Sequence, residues 1–371
     1  MKTLGIVGGG QLALMLAQAA RKLGVDCVVL DLTPNCPASA VARQVVGDFA
    51  NYEDVLAFAK EAEVLTFEIE SANEKALIEL SEGGYPVHPN PSTLALIKDK
   101  LAQKNFLKDH GIPTAPFVGV ASEADARAAG DTLGYPYVLK ARRGGYDGRG
   151  NRTIRTADDI GTALVELKGE LYAEGLINFK KELAVVAVRT VAGDIRTYPV
   201  VETMHERHIC TTVLAPAPVS DAVRKDAEAL ARRVLESFTG AGVFGIELFL
   251  ADGNVLVNEI APRVHNSGHV TMDACEASQF ENQVRAVMGL PLADTSMITS
   301  AAVMVNILGE REGPAEPEGV EAAKALQGIT VHLYGKRDTK IDRKMGHINA
   351  VGNALPEVLE TAREARRRVS I

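Results

Sequence analysis

Apolar and polar positions follow two different rhythms along this chain. Up to about residue 95, short continuous apolar runs at Leu4–Val7, Cys27–Asp31 and 64–68 alternate with segments of helical period at 11–23 and 52–61. Apolar runs without alternation, separated by helices, predict strands buried on both faces of a parallel α/β sheet. The run Pro86-Val87-His88-Pro89-Asn90-Pro91 then punctuates the chain, and a boundary is expected just after it. A helix over 96–110 follows, closed by Gly111-Ile112-Pro113. Beyond it the rhythm shortens to strands at 137–140, 183–190, 195–201, 243–250 and 255–260. This order predicts a mostly antiparallel α+β region over 96–293. A third region, 294–371, carries strands at 301–308, 329–334 and 346–351 and a closing helix over 356–368.

A chain of 371 residues is long enough for two or three such domains. Hydrophobic residues make up 46% and charged residues 24%, the balance of an ordinary globular protein. A net charge of −8 supplies no basic excess for phosphate backbones, so neither nucleic acid nor an anionic membrane is the expected partner. Cys27, Cys36, Cys210 and Cys275 are scattered, without the spacing of a zinc site or a disulfide framework. No apolar run approaches the roughly 20 residues that span a bilayer, and the N-terminus lacks a signal-peptide pattern. A cytoplasmic protein is expected.

The most informative chemistry lies at Gly245-Ile246-Glu247 and Asn258-Glu259-Ile260-Ala261-Pro262-Arg263-Val264-His265-Asn266-Ser267-Gly268-His269. Each glutamate sits in or just after a strand run, and Asp252-Gly253 between the runs reads as a tight hairpin turn. Folding back there sets Glu247 and Glu259 on adjacent strands beside Asn258. Two carboxylates and an amide oxygen form a hard-oxygen set suited to magnesium held against phosphates.

Five further motifs stand out. Gly8-Gly9-Gly10-Gln11-Leu12-Ala13, with Asp31 ending the next strand, fits the glycine turn of dinucleotide-binding folds, but a monophosphate or purely structural role is favoured over NAD, because any α/β domain needs glycine at that turn for close packing. Lys140 leads into the loop Ala141-Arg142-Arg143-Gly144-Gly145-Tyr146-Asp147-Gly148-Arg149-Gly150, whose amides can wrap phosphate oxygens. Glu174, in Glu174-Gly175-Leu176-Ile177, and Glu182, entering a strand, suit an adenine amino group and ribose hydroxyls. Glu68 and Glu70 stand at the carboxyl end of the third strand, the edge where open sheets bind ligands. Lys336, Arg343, Lys344 and His347 form a cationic cluster in an otherwise acidic chain.

Taken together, the Lys140 strand, the glycine loop, Glu174/Glu182 and the Glu247/Glu259 hairpin resemble the ATP-grasp superfamily. Within it, Thr66-Phe67-Glu68-Ile69-Glu70, Tyr146-Asp147-Gly148-Arg149-Gly150, residues 258–269, and Tyr334-Gly335-Lys336 through His347 resemble the N5-carboxyaminoimidazole ribonucleotide synthetases. The resemblance covers essentially the whole chain. It implies an ATP-grasp fold with an N-terminal Rossmann-like domain (1–95), an ATP-grasp domain (96–293) and a small C-terminal domain (294–371).

The resemblance also implies roles. Lys100 and Lys140 would contact ATP phosphates, with Gly145, Gly148 and Ile177 also at the nucleotide. Glu174 would read the adenine and Glu182 the ribose. Glu247 and Glu259 would ligate Mg2+, assisted by Asn258. Lys336 and Arg343 would take the ribonucleotide phosphate, with Glu68 or Glu70 near its aminoimidazole. Tyr146, Asp147, Arg149, Arg263 and His269 would stand at the reacting centre. The implied reaction joins ATP, bicarbonate and 5-aminoimidazole ribonucleotide through carboxyphosphate, in de novo purine biosynthesis, by a homodimer. Carboxyphosphate is destroyed by water, so a lid hinged at 144–150 is expected to close over it.

The chain departs from the family at two places. It reads Gln11-Leu12-Ala13-Leu14-Met15 where the family has Gln-Leu-Gly-Arg-Met, and Val264 where a second proline is usual. The rival expectations are another ATP-grasp ligase, such as a formate-dependent glycinamide ribonucleotide transformylase or a biotin-dependent carboxylase subunit, an NAD-dependent oxidoreductase built on the glycine turn, and a non-catalytic ATP-grasp-like binding protein.

Overall fold

The computed structural model describes residues 2–144 and 150–371. Its N-terminal part is a five-stranded parallel sheet in the order Arg43–Val46, Cys27–Asp31, Leu4–Val7, Val64–Phe67, Val87–His88. The central strands are apolar throughout because helices cover both faces. Arg43–Val46 lies at the edge and is half exposed, which explains why its composition gives no buried-strand signal.

The helix Gln11–Lys22 packs its buried residues against the helix Gln279–Val287. One apolar cluster therefore holds Leu12, Met15 and Leu16 together with Phe280, Val284 and Val287. Gln283 adds a polar tie: Nε2 donates to Thr66 Oγ1 at 2.9 Å, while the Val243 N–H donates to Oε1. The parallel sheet is thus fixed to the body of the protein.

That body is a nine-stranded antiparallel sheet. Its main path runs Asn254–Ala261, Gly242–Ala251, Lys181–Arg189, Val201–Glu206, Ile209–Ala215, Ala301–Leu308, Lys344–Gly352, Ile329–Leu333, with Ile195–Thr197 as a side rung on Lys181–Arg189. Ile209–Ala215 pairs directly with Ala301–Leu308, so the sheet is continuous from the middle of the chain to its C-terminal part. The helix Asp221–Ser237 covers one end through Leu230 and Val234, and Leu355–Arg368 covers the other through Val358 and Ala362. A separate four-stranded antiparallel sheet, Phe117–Val120, Leu171–Gly175, Tyr137–Ala141, Asn151–Ile154, packs on the helices Glu123–Leu133 and Asp159–Glu166 around its own core.

Two sequence expectations need correction. Residues 96–110 do not form one helix. Pro91–Lys98 and Lys100–Asp109 are separate, because Asp99 takes extended backbone (φ −96°, ψ 102°) and caps the second helix, its Oδ1 accepting from the Ala102 N–H at 3.2 Å. Residues 195–201 are not one strand either: Ile195–Thr197 ends before Val201 opens the next. Among the described residues, no helix is long and apolar enough to cross a membrane.

Candidate active site

The hairpin Gly242–Ala251/Asn254–Ala261 turns on two residues with positive φ, Asp252 (50°) and Gly253 (81°), the geometry that matches strand twist. Ala251 pairs with Asn254, and the register then carries Glu247 opposite Glu259. Leu248 pairs with Val257, so Asn258 is an extra residue in its strand, a bulge. The Asn258 side-chain Nδ2 reaches Glu247 Oε2 at 3.5 Å, and the Asn258 backbone carbonyl accepts from Lys104 Nζ at 3.1 Å. The His265 imidazole stands 3.4 Å from Glu247 Oε1. Although burial opposes it, His265, His205 and Lys100 hold the Glu247 carboxyl below the usual range.

Breaking the chain at Asp99 aims the second helix at this hairpin. Lys100 and Lys104, one turn apart, lie on one face of it. Lys100 pairs with Glu259, and the carboxylates of Glu259, Glu70 and Glu247 outweigh burial to raise its pKa. Lys104 Nζ donates to Thr114 Oγ1 at 2.6 Å and pairs with Glu174, which Lys140 also grips. Glu174 is only 3% exposed; burial pulls its pKa up, and the two ammonium groups more than reverse that. On the next strands, Glu182 Oε2 lies 3.1 Å from His205 Nδ1. Burial works against charge on that imidazole, yet the Glu182 carboxylate holds its pKa above the ordinary value.

A cleft of about 980 Å³ runs from these groups to the carboxyl edge of the parallel sheet. Lys140, Glu182, His205, Glu247, Asn258 and Glu259 line one part, and Gly10, Asp31, Glu68, Glu70, Arg263 and His269 line the other. Here the structure decides the open reading of the glycine turn. Gly9 N–H donates to Asp31 Oδ2 at 2.9 Å and Gly10 N–H to Glu68 Oε1 at 2.8 Å. A Cβ on Gly8 or Gly10 would come within 2.8 Å of Glu68. The turn's amides therefore hold the protein's own carboxylates, where a dinucleotide would need them for pyrophosphate. Glu68 is buried, which raises its pKa, and Glu70 pairs with Arg263 at 3.0 Å.

The remaining expected residues are placed less uniformly. Ile177 lines a different cavity, of about 760 Å³, with Leu176, Asn178 and Leu256. Lys336 donates to the Lys344 carbonyl at 2.6 Å and sits 5.6 Å from the Tyr334 ring centroid. Arg343 is exposed and donates to the Asp338 carbonyl at 2.6 Å. Neither lines the cleft, whereas their neighbour Lys344 does. Tyr146, Asp147, Arg149, Gly145 and Gly148, with the expected lid, lie outside the described residues. Leu14 and Val264, the two departures from the family pattern, are buried in the same apolar cluster.

Three residues that join this network were not singled out from sequence. Lys104 was legible as the i+4 partner of Lys100. His205 and Gln279 carry no local signal, since a lone polar residue on a strand or helix reads as a solvated position. Among the described residues, no three or more His, Cys, Asp or Glu side chains come together as a metal cage. The Glu247/Glu259 pair with the Asn258 oxygen fits the other magnesium arrangement, in which substrate phosphates complete the shell.

The chain is similar to known proteins over its whole length. Residues 1–98 match the family description of a ribonucleotide synthetase preATP-grasp domain, 105–280 an ATP-grasp domain, and 302–361 a phosphoribosylaminoimidazole carboxylase C-terminal domain. The chain is 44% identical over 370 residues to a phosphoribosylaminoimidazole carboxylase of Candida albicans, covering 96% of this chain and 65% of that protein. It thus spans about two thirds of the length of that curated relative. The crystal structure of an N5-carboxyaminoimidazole ribonucleotide synthetase from Thermotoga maritima is 41% identical with a TM-score of 0.91, covering 100% of this chain and 99% of that one. An N5-carboxyaminoimidazole synthase from Aspergillus clavatus, in complex with ADP and 5-aminoimidazole ribonucleotide, is 36% identical with a TM-score of 0.91 and 99% coverage of both chains.

Proposed function

Because the chain belongs to the N5-carboxyaminoimidazole ribonucleotide synthase family, with its ATP-grasp fold, we propose that it carboxylates 5-aminoimidazole ribonucleotide with bicarbonate at the expense of ATP. The products are N5-carboxyaminoimidazole ribonucleotide, ADP and phosphate, a step of purine biosynthesis. One observation carries the reading. A single cleft joins the paired carboxylates Glu247 and Glu259, with Lys140, to a second acidic and cationic set at Glu68, Glu70 and Arg263. The Aspergillus clavatus protein binds ADP and 5-aminoimidazole ribonucleotide together, which supports assigning the two parts of this cleft to two substrates.

Bicarbonate is a poor electrophile: negative charge on its oxygens is donated toward the carbon, and none of those oxygens is a good leaving group. Transfer of the γ-phosphoryl group to one of its oxygens makes carboxyphosphate, from which phosphate leaves readily, and the aminoimidazole nitrogen then bonds to the carbon. The first transfer needs positioning and charge neutralisation. Lys140 is held at the mouth of the nucleotide site by Glu174, and Lys100 by Glu259; exchange of these internal pairs for phosphate oxygens turns both ammonium groups to ATP. Glu247 and Glu259, with the Asn258 oxygen, would hold Mg2+, which supplies charge stabilisation at the transferred phosphoryl group. Glu182, 3.1 Å from the His205 imidazole, suits ribose hydroxyls. Arg263, oriented by Glu70, offers a guanidinium to the anionic reagent. Lys336 and Arg343 supply positive charge for the ribonucleotide phosphate. A homodimeric, cytoplasmic enzyme belongs to the same proposal, and light scattering would check its mass.

The decisive experiment is ADP release across a panel of acceptors. Stimulation is expected with 5-aminoimidazole ribonucleotide plus bicarbonate and not with formate plus glycinamide ribonucleotide or with biotin. Release that ignores the aminoimidazole substrate would overturn the assignment.

A further inference from the structure

The His269 ring is 1% exposed, yet it lines the cleft, so its protonation state bears on any reagent bound there. Gln279 determines that state. The His265 N–H donates to Gln279 Oε1 at 2.9 Å, and Gln279 Nε2 donates to the His265 carbonyl at 2.6 Å. A backbone N–H can only donate and a carbonyl can only accept, so the two ends of this amide cannot be exchanged. The same Nε2 lies 3.2 Å from His269 Nδ1 and offers it the second N–H. His269 Nδ1 must then accept, and the neutral ring carries its proton on Nε2.

We propose that Gln279 is a positioning residue that locks His269 in the Nε2–H tautomer, making His269 a hydrogen-bond donor to the anionic reagents of the cleft and not a general base. The surroundings agree. His269 is packed by the rings of Phe280, Tyr334 and His347, with centroids 5.6, 6.4 and 4.8 Å away. Burial first, and then the nearby charges of Lys344 and Arg263, keep the imidazole from taking a second proton. A neutral donor fixed in advance stabilises negative charge as it develops on oxygen. Gln279 is fully buried, and its own N–H donates to Thr271 Oγ1 at 2.9 Å. Gly268 is required beside it, since a Cβ there would lie 2.5 Å from Gln279 Oε1.

The donor role rests on the proposed carboxylation; the tautomer does not. Long-range proton–nitrogen correlation spectra of the enzyme with 15N-labelled histidine would read the ring directly, with His269 assigned by the signal lost in His269→Gln. Wild-type His269 is expected to show a bare Nδ1 and a protonated Nε2 throughout neutral pH. Gln279→Glu replaces the donor with an acceptor and should move the proton to Nδ1. A protonated Nδ1 in the wild type, or an unchanged ring in a folded Gln279→Glu, overturns the lock, and the wild-type spectrum alone decides if that variant fails to fold.

For the donor role, His269→Gln keeps an N–H at similar reach and should retain kcat within about tenfold, whereas His269→Phe should lose about 100-fold or more. Equal losses would overturn that role. A wild-type enzyme showing the predicted tautomer but no ADP release with aminoimidazole ribonucleotide and bicarbonate would instead count against the proposed reaction.

Discussion

Lys336→Met should make the protein more stable near neutral pH while impairing its use of the ribonucleotide. Burial, then the charge of Arg343, lowers the Lys336 pKa from 10.5 to about 8, against a smaller opposing pull from Glu68. Keeping that ammonium charged in the fold costs about 3 kcal/mol at pH 7. Because the folded pKa lies below the unfolded one, the unfolded chain binds more protons between pH about 8 and 10.5, and stability contributed by this group rises with pH across that window. Methionine keeps the apolar stem and removes the charge. It also removes the bond to the Lys344 carbonyl, worth about 1 kcal/mol, and the contact with the Tyr334 ring, worth about 0.5–1 kcal/mol. The net gain is about 1–2 kcal/mol at pH 7, gone by pH about 10. Melting temperatures of both proteins across that range measure it. A variant that melts below the wild type at pH 7, or a difference that does not change with pH, would refute the reasoning. In parallel, the variant's KM for the ribonucleotide should rise about 10- to 100-fold with that for ATP unchanged, the loss of one charge-assisted contact. Wild-type kcat/KM for the ribonucleotide should fall as pH rises through about 8, where the ammonium of the free enzyme loses its proton.

Three other outcomes are expected. Glu259→Gln removes one of the paired carboxylates and should lower magnesium-dependent ADP release by about 100-fold or more; an unaltered magnesium dependence in titrations would contradict the metal assignment. Asp99→Ala loses a helix cap and the buried partner of Arg142, and should cost about 2–4 kcal/mol in denaturant unfolding. Gln283→Leu strands the Val243 N–H and the Thr66 hydroxyl and should cost about 2–4 kcal/mol by the same measurement, with no cost expected if neither bond contributes.

Much of the Glu247/Glu259 hairpin was legible because its information is local. Asp252-Gly253 fixed the turn, so Glu247 and Glu259 had to share adjacent strands; the turn alone would set Glu247 opposite Asn258, and the bulge there brings Glu259 into that place. The parallel sheet was legible for a related reason, since uninterrupted apolar runs have no stable place except between covering helices. The break at Asp99 was not, because a capping aspartate inside an apolar-periodic stretch looks like one more polar position of a longer helix. Yet that break directs Lys100 and Lys104 at the site.

Residue pattern alone determined which segments become strands or helices and which carboxylates share a hairpin, because those outcomes depend on side chains a few positions apart. Tertiary structure decided what each charged group faces. Lys100 meets Glu259 across 159 residues of chain, Gln279 sets the proton of an imidazole ten positions away, and the glycine turn receives Glu68 from a strand 58 residues on. Such pairings are selected by burial, where an unpartnered charge or amide is costly, and burial exists only once the sheets have closed on one another.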